Sequence, residues 1–275
     1  MTAMRYFAGL TRYRRVMFAA PYFDPADRVA LFLDFDGTLV HIVDRPDLTH
    51  VPASLLATLG EAHQSLDGAL ALITGRSIAD LDRLMDPLRL PAAGVHGLEY
   101  RDDTGVTRAS TTTLFPDWAR EELVKLAARA DGLLTEDKGH GMAIHYRLAP
   151  EREPEIREAV DRIAARLGPD FLLQNGNMVI ELRPACASKG TAVTRFMAEP
   201  PFAGRRPVFV GDDVTDEDAF GIVNELGGYS IKVGRRDAAS AARYELEDVG
   251  AVRNWLIALS RRDPSTSHQD INKER

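Results

Sequence analysis

Three short, uninterrupted apolar runs constrain this chain most, VALFL at 29–33, ALALI at 69–73 and PVFVG at 207–211, with a weaker one, interrupted by Ser230 and Lys232, in YSIKV at 229–233. A strand with one wet face alternates apolar and polar residues. A run that is apolar at every position must be covered on both faces, as in a parallel sheet between layers of helices. The stretches between these runs carry helical spacing. Pro52 to Leu66 opens on a proline suited to a first helical turn. Ser77-Ile78-Ala79-Asp80 offers a cap and sets Ile78, Leu81, Leu84 and Met85 on one side. Ser188 and Thr215 stand where they could cap two further helices. Strands alternating with helices predict an α/β fold, a doubly wound, Rossmann-like parallel sheet.

The middle of the chain departs from this rhythm. A helix-like stretch from Pro116 to Ala130 precedes LLTED and MAIHYR, and a second, Glu153 to Leu167, precedes FLLQ and MVIELR. The last two strands are joined by the turn signal Asn175-Gly176-Asn177. Helix, strand, strand, repeated once, predicts a small α+β domain with hairpin-linked antiparallel strands. The expected organisation is an N-terminal extension over 1–28, a core from 29–107 and 186–260, an inserted cap over 108–185, and a disordered polar tail over 261–275.

In parallel α/β sheets, ligands bind beyond the carboxyl ends of the strands. Collecting the residues there gives Asp34 and Asp36 after the first run, Thr74, Gly75 and Arg76 after the second, and Gly211, Asp212 and Asp213 after the third, with Asp216 a turn further on. Lys189 opens the helix of SKGTAVTRF. Asp34, Asp36, Asp212, Asp213 and Asp216 are too dense a negative cluster to stand uncompensated, and a hard cation such as Mg²⁺, bound through oxygen, fits it. Thr74 supplies a hydroxyl, and Lys189 supplies a positive charge at a helix start. Together these groups make a phosphate pocket. One chemistry uses them all: Asp34 attacks phosphorus to form an aspartyl phosphate, and Asp36 serves as general acid and then base.

Composition excludes other classes. The net charge of −7 argues against a nucleic-acid partner, whose electrostatic footprint is basic. The single cysteine, Cys186, rules out an internal disulfide and reads as a small filler, in keeping with a cytoplasmic location. No apolar run approaches the ~18 residues of a membrane span. Arg12, Arg14 and Arg15 break up the apolar N-terminal stretch, so a secretory signal is not expected.

The motifs DFDGTLV, ITGR, ASKG and GDDVTDED, in that order, resemble the four motifs of the haloacid dehalogenase-like phosphatases. Within them, GVHGLEYR, EDKGHGMAIHYR, MVIELRPACASKG and GDDVTDEDAF are similar to the trehalose-6-phosphate phosphatase family. The resemblance runs over about 29–259 and implies a Mg²⁺-dependent phosphoric monoester hydrolase of trehalose biosynthesis. It implies Asp34 as nucleophile, Asp36 as acid/base, and Thr74 and Lys189 as phosphate holders. Asp34, the backbone carbonyl of Asp36, and Asp212 would ligate the metal, while Asp213 or Asp216 would hold its waters or complete the site. It also places Lys138, Glu181 and Arg183 where disaccharide hydroxyls are read. His96 and Glu99 are expected to line the cleft from the core side, and Arg76 is a further substrate candidate unless it pairs with a nearby carboxylate. Period-two alternation sets Met178, Ile180 and Leu182, like Met142, Ile144 and Tyr146, on one sheet face. It sets Glu181, Arg183, His145 and Arg147 on the other, the face a closing cap would turn toward substrate. The implied ligand is a small disaccharide phosphate, handled by a monomer with a functional link to a trehalose-phosphate synthase.

Rival readings are a capped phosphatase of sucrose phosphate or a mannosyl phosphate, and a sugar phosphotransferase. A third is a phospho-accepting receiver domain, whose motif order differs. Asp36 serves hydrolysis and transfer equally, so only the cap residues discriminate.

Overall fold

The structure, a computed structural model, describes residues 18–21, 23, 27–43, 45, 48–109, 114–176, 178–234 and 240–260. The chain lays down β1 (Phe18–Ala19), β2 (Val29–Leu33), β3 (Leu70–Ile73), β4 (Ala92–Gly94), β5 (Glu99–Arg101) and β6 (Thr107–Ala109). It then builds β7 (Leu134–Asp137), β8 (Met142–His145), β9 (Phe171–Gly176) and β10 (Val179–Pro184), and returns with β11 (Arg206–Gly211), β12 (Tyr229–Val233) and β13 (Tyr244–Leu246). Among the described residues these strands form two sheets. The larger runs β1-β13-β12-β11-β2-β3-β4-β5-β6, parallel from β1 to β4 and antiparallel at the β5–β6 edge. The smaller runs β7-β8-β10-β9 and is antiparallel throughout.

The apolar strands behave as their composition requires. Leu31 and Leu33 of β2 face one way, into a cluster with Leu55 and Leu59 of α1 (Ala53–Ser65), and with Ile78, Leu81 and Met85 of α2 (Ile78–Met85). In the smaller sheet, α3 (Asp117–Ala127) and α4 (Glu153–Leu167) cover the face of Met142, Ile144, Ile180 and Leu182. Ala30 and Phe32 of β2 face the opposite way, packing with Phe196 of α5 (Lys189–Met197) and Phe220 of α6 (Glu217–Glu225). Val252 and Leu256 of α7 (Val249–Ser260) join the first cluster. The large sheet is thus sandwiched between helices, a doubly wound α/β fold.

Several details differ from the sequence expectations. Part of the expected N-terminal extension belongs to the core: β1 pairs with β13, and Phe23 is buried against Tyr229 and Trp255. Met178 leaves the apolar face of β10, because its φ of +60° places it in the turn. Thr215 caps no helix; Asp213 accepts from Val214 N–H instead, and α6 starts after a 3₁₀ turn at Val214–Asp216. Cys186 is exposed on the connection between the two sheets, not a filler. The expected tail over 261–275 lies outside the described residues.

Candidate active site

The carboxyl ends of β2, β3 and β11 converge under the polar face of the smaller sheet. β2 delivers Asp34, 4% exposed, and the chain then turns at Gly37 with φ +86°. A side chain at Gly37 would be strained by that φ and would collide with the Asp212 carboxylate, so glycine lets the two loops meet. Ser188 caps α5 through a reciprocal pair with Thr191, and the first turn of α5 aims Lys189 inward. Lys189 Nζ lies 2.6 Å from Asp34 Oδ1 and 2.6 Å from Asp216 Oδ1. Asp216 is completely buried and also accepts from the Asp213 N–H at 3.0 Å. Thr38 donates to Asp212 Oδ1, and Lys232 donates to the Asp212 carbonyl.

Carboxylate oxygens of Asp34, Asp212 and Asp216 lie within 4.8 Å of one another. Burial pushes the Asp34 carboxyl well up, the Asp216 and Asp212 carboxylates push it further, and Lys189 opposes them. Burial and the Asp216 carboxylate likewise push Asp212 up, to about 6. Burial would lower the Lys189 ammonium, but Asp216 and Asp34 raise it overall, so it stays charged. The three carboxylates of Asp34, Asp212 and Asp216 outnumber the one ammonium that reaches them, Lys189. That excess of negative charge, in a set of hard oxygen donors, suits a divalent cation.

Asp36 is held apart from this cluster. Arg76 grips its carboxylate with Nε at 2.6 Å and Nη2 at 2.7 Å, and also reaches Asp80 at 2.6 Å and the Thr49 hydroxyl at 2.7 Å. Arg76 therefore pairs with carboxylates, the alternative left open by the sequence. Thr74 lines the cavity and accepts from the Arg76 N–H at 3.1 Å.

The roof of the cavity comes from the smaller sheet. Lys138, His145, Arg147 and Glu181 line it, together with Glu136, Gln174, Val179 and the core residues Ile42, Val43 and His96. Glu181 Oε2 accepts from Lys138 Nζ at 2.8 Å and faces His96 Nε2 at 3.2 Å; its Oε1 is buried without a partner among the described residues. Burial alone would raise the Glu181 carboxyl, but Lys138 and His96 hold it far below the usual carboxylate range. Glu136 Oε2 meets His145 Nε2 at 3.0 Å.

Two candidates stand elsewhere. Glu99 accepts the Ile78 N–H at 2.6 Å, which makes it a brace for the start of α2 and not part of the cavity wall. Arg183 is buried beside the cavity. Its fork holds Gln174 Oε1 at 2.7 and 3.0 Å, and Nη1 donates to the Ala187 carbonyl, tying the smaller sheet to the returning chain. In the carboxylate cluster that could hold a metal ion Asp216 fills a place, whereas the Asp36 carboxylate is on Arg76 and Asp213 lines the cavity outside the cluster. Sequence reading missed Glu136, Gln174, Thr38, Thr49 and Lys232. Glu136 and Gln174 carried a usable signal, since period-two alternation puts them on the polar face with Lys138 and Glu181.

Comparisons with known proteins point one way. A family model described as trehalose-phosphatase matches residues 32–249. The chain is 46% identical over 234 residues to a probable trehalose-phosphate phosphatase of Sinorhizobium fredii, covering 85% of this chain and 88% of that one. It is 44% identical over 237 residues to the trehalose-6-phosphate phosphatase of Escherichia coli, covering 85% and 87%. Among solved structures, it is similar to a trehalose-6-phosphate phosphatase related protein, with a TM-score of 0.72 and 27% identity over 84% of this chain and 96% of that one. It shares its fold with the C-terminal domain of the C. albicans trehalose-6-phosphate phosphatase, with a TM-score of 0.77 and 22% identity over 85% and 93%.

Proposed function

The chain belongs to the trehalose-phosphatase family, and on that premise we propose that it hydrolyses trehalose 6-phosphate to trehalose and phosphate through an aspartyl phosphate on Asp34, with Mg²⁺ as its cation. The observation that carries this reading is a single cavity that joins the Asp34–Lys189–Asp212 cluster to the Lys138–Glu181 pair. One end suits a phosphate and the other a polyol.

Lys189 and Thr74 hold the phosphoryl oxygens. An oxygen of Asp34 attacks phosphorus, the bond from phosphorus to the sugar oxygen breaks, and Asp36 gives that oxygen its proton. Asp36 then takes a proton from water, which attacks phosphorus and releases inorganic phosphate and free Asp34. Arg76 positions the Asp36 carboxylate by its two-point grip, which must loosen at one oxygen for Asp36 to carry a proton. Asp34, Asp212 and the carbonyl of Asp36 would hold the cation, with Asp216 or Asp213 completing the set. When bound, the cation supplies the positive charge that lets a carboxylate approach a phosphate dianion. Glu181, Lys138 and His145, which line the cavity, read sugar hydroxyls.

No helix among the described residues is long and apolar enough to cross a membrane. The free Cys186 favours a reducing, cytoplasmic setting. A monomer that takes its substrate from a trehalose-phosphate synthase completes the reading. The test is phosphate release from trehalose 6-phosphate, sucrose phosphate, a mannosyl phosphate and glucose 6-phosphate, with Mg²⁺ present. Trehalose 6-phosphate should give the highest kcat/KM. A higher value for another sugar phosphate, or transfer of the phosphoryl group to an added sugar, would overturn the assignment.

A further inference from the structure

The backbone at Val95 and His96 is unusual. Both are non-glycine residues in the left-handed region, with φ of +46° and +54°, and valine is β-branched. Such a conformation persists only where its surroundings over-determine it. Here it turns the His96 side chain, 6% exposed, onto the cavity wall.

The ring has two neighbours that matter. Across the cavity, Nε2 stands 3.2 Å from Glu181 Oε2 of the smaller sheet. On the core side the ring lies against Gly75 of the phosphate loop; a Cβ there would fall 2.8 Å from Nε2 and 3.0 Å from Cε1. Only a glycine between Thr74 and Arg76 leaves room for the imidazole. Burial lowers the His96 imidazole, and Glu181 offsets this only in part, so the ring is neutral and Nε2–H donates to the carboxylate. Lys138 takes the same oxygen at 2.8 Å. With both donors on Oε2, Oε1 has no partner among the described residues.

We propose that His96 is a positioning residue for sugar recognition: it fixes the Glu181 carboxylate at the sugar end of the cavity, and by resting on Gly75 it ties that carboxylate to the phosphate loop. The proposal rests on the reading of Glu181 as a sugar-binding residue. It makes the distance between the phosphate end and the sugar end a built property of the site. A substrate that uses only the phosphate end does not draw on that contact.

The test compares kcat/KM on trehalose 6-phosphate with kcat/KM on p-nitrophenyl phosphate for His96→Asn, His96→Gln, Glu181→Gln and the Asn/Gln double variant. Asparagine tolerates the left-handed backbone but is too short to reach Glu181. It should lower the ratio of the two kcat/KM values about 10- to 50-fold, mainly through KM, as expected for a lost hydrogen bond to a buried charge. Glutamine, with an amide at similar reach, should recover most of the ratio. In the Glu181→Gln background, His96→Asn should change the ratio less than about twofold, because the path through Glu181 is already cut. An unchanged ratio in His96→Asn, or an equal fall in the Glu181→Gln background, would overturn the proposal. If the wild-type enzyme does not act on trehalose 6-phosphate, the functional reading fails, and the contact is judged by Tm in the ligand-free protein. There the Tm losses of the two single variants should sum to clearly more than the loss of the double variant. Additive losses would refute the coupling.

Discussion

The two ends of the cavity are both clusters of buried charge, but their balances differ. At the sheet edge of the core, the carboxylates of Asp34, Asp212 and Asp216 outnumber the one ammonium that reaches them, Lys189, leaving an excess of negative charge. On the face of the smaller sheet, Glu181 is held by Lys138 and by the buried, neutral His96, and Glu136 meets His145. Desolvated charge without compensation is unfavourable. The core end therefore calls for a cation, which in turn accepts a phosphate dianion. The end at the smaller sheet sets its carboxylates against protein donors and suits a neutral ligand rich in hydroxyls. This difference in charge balance is what the proposed division of the cavity into a place for the reaction and a place for recognition rests on.

The sharpest way to break this division is to remove the proposed nucleophile. Asp34→Asn should reduce turnover at least about 10⁴-fold on trehalose 6-phosphate and on p-nitrophenyl phosphate alike, with circular dichroism unchanged. Chelation should abolish both activities, and Mg²⁺ should restore them. A residual activity that favours one substrate would mean that the core end also takes part in recognition. Glu181→Gln probes the other end. It should lower kcat/KM on trehalose 6-phosphate about 10- to 100-fold and leave p-nitrophenyl phosphate much less affected. Equal losses on both substrates would remove Glu181 from the sugar site.

Stability gives a subtler comparison, because the pKa shifts at the two ends have opposite signs. Asp34 is raised and Asp212 is pushed up to about 6, so without metal both contribute stability that is present below the ordinary carboxylate range and lost as pH rises, for Asp212 through about 6. Glu181 is lowered, so its contribution is present above its unfolded value and lost as pH falls. At pH 7 and without metal, Asp212→Asn should therefore raise Tm and Glu181→Gln should lower it, each by a few degrees. The Tm gain from Mg²⁺ should be larger at pH 7 than at pH 5. Thermal scans of both variants at the two pH values decide the matter, and shifts of the same sign would refute the charge argument.

The two ends also differed in how far the sequence disclosed them. The core end sits where parallel strands stop, so the apolar runs of β2, β3 and β11 pointed to Asp34, Thr74 and Asp212 before any coordinates did. The short strands β4, β5, β6 and β13 left no comparable run; AAG and TRA carry little apolar signal, and their pairing is a product of the assembled sheet. In the cap, alternation identified the face of Glu181 and His145. It could not say how far along a strand the cavity extends, so Arg183, on the same face and two residues on, was assigned to the site although its fork is spent on Gln174 and on the Ala187 carbonyl. Asp36 and Arg76 illustrate a further limit. Their pairing joins residues 40 positions apart, and nothing local in either segment announces it.

Glu99 gives the smallest expected effect and tests where the recognition end stops. It lies in β5, next to the strand that leads into His96, and its position in GVHGLEYR suggested a cleft residue. In the structure its Oε2 accepts the Ile78 N–H at 2.6 Å, satisfying one of the four N–H groups that every helix start leaves open. The neighbouring Ser77 hydroxyl accepts from Asp80 N–H, so the two acceptors share the start of α2. Glu99→Gln keeps an acceptor oxygen at that place but removes the charge that favours the positive end of the helix. Its cost should be below about 1 kcal/mol, a Tm loss of about 2 °C for a protein of this size, and kcat/KM on trehalose 6-phosphate should change less than about threefold. Glu99→Ala, which removes the acceptor, should roughly double the Tm loss with the same small kinetic effect. A loss of kcat/KM in both variants comparable to that of Glu181→Gln would move the boundary of the sugar site across the core to β5 and return Glu99 to it.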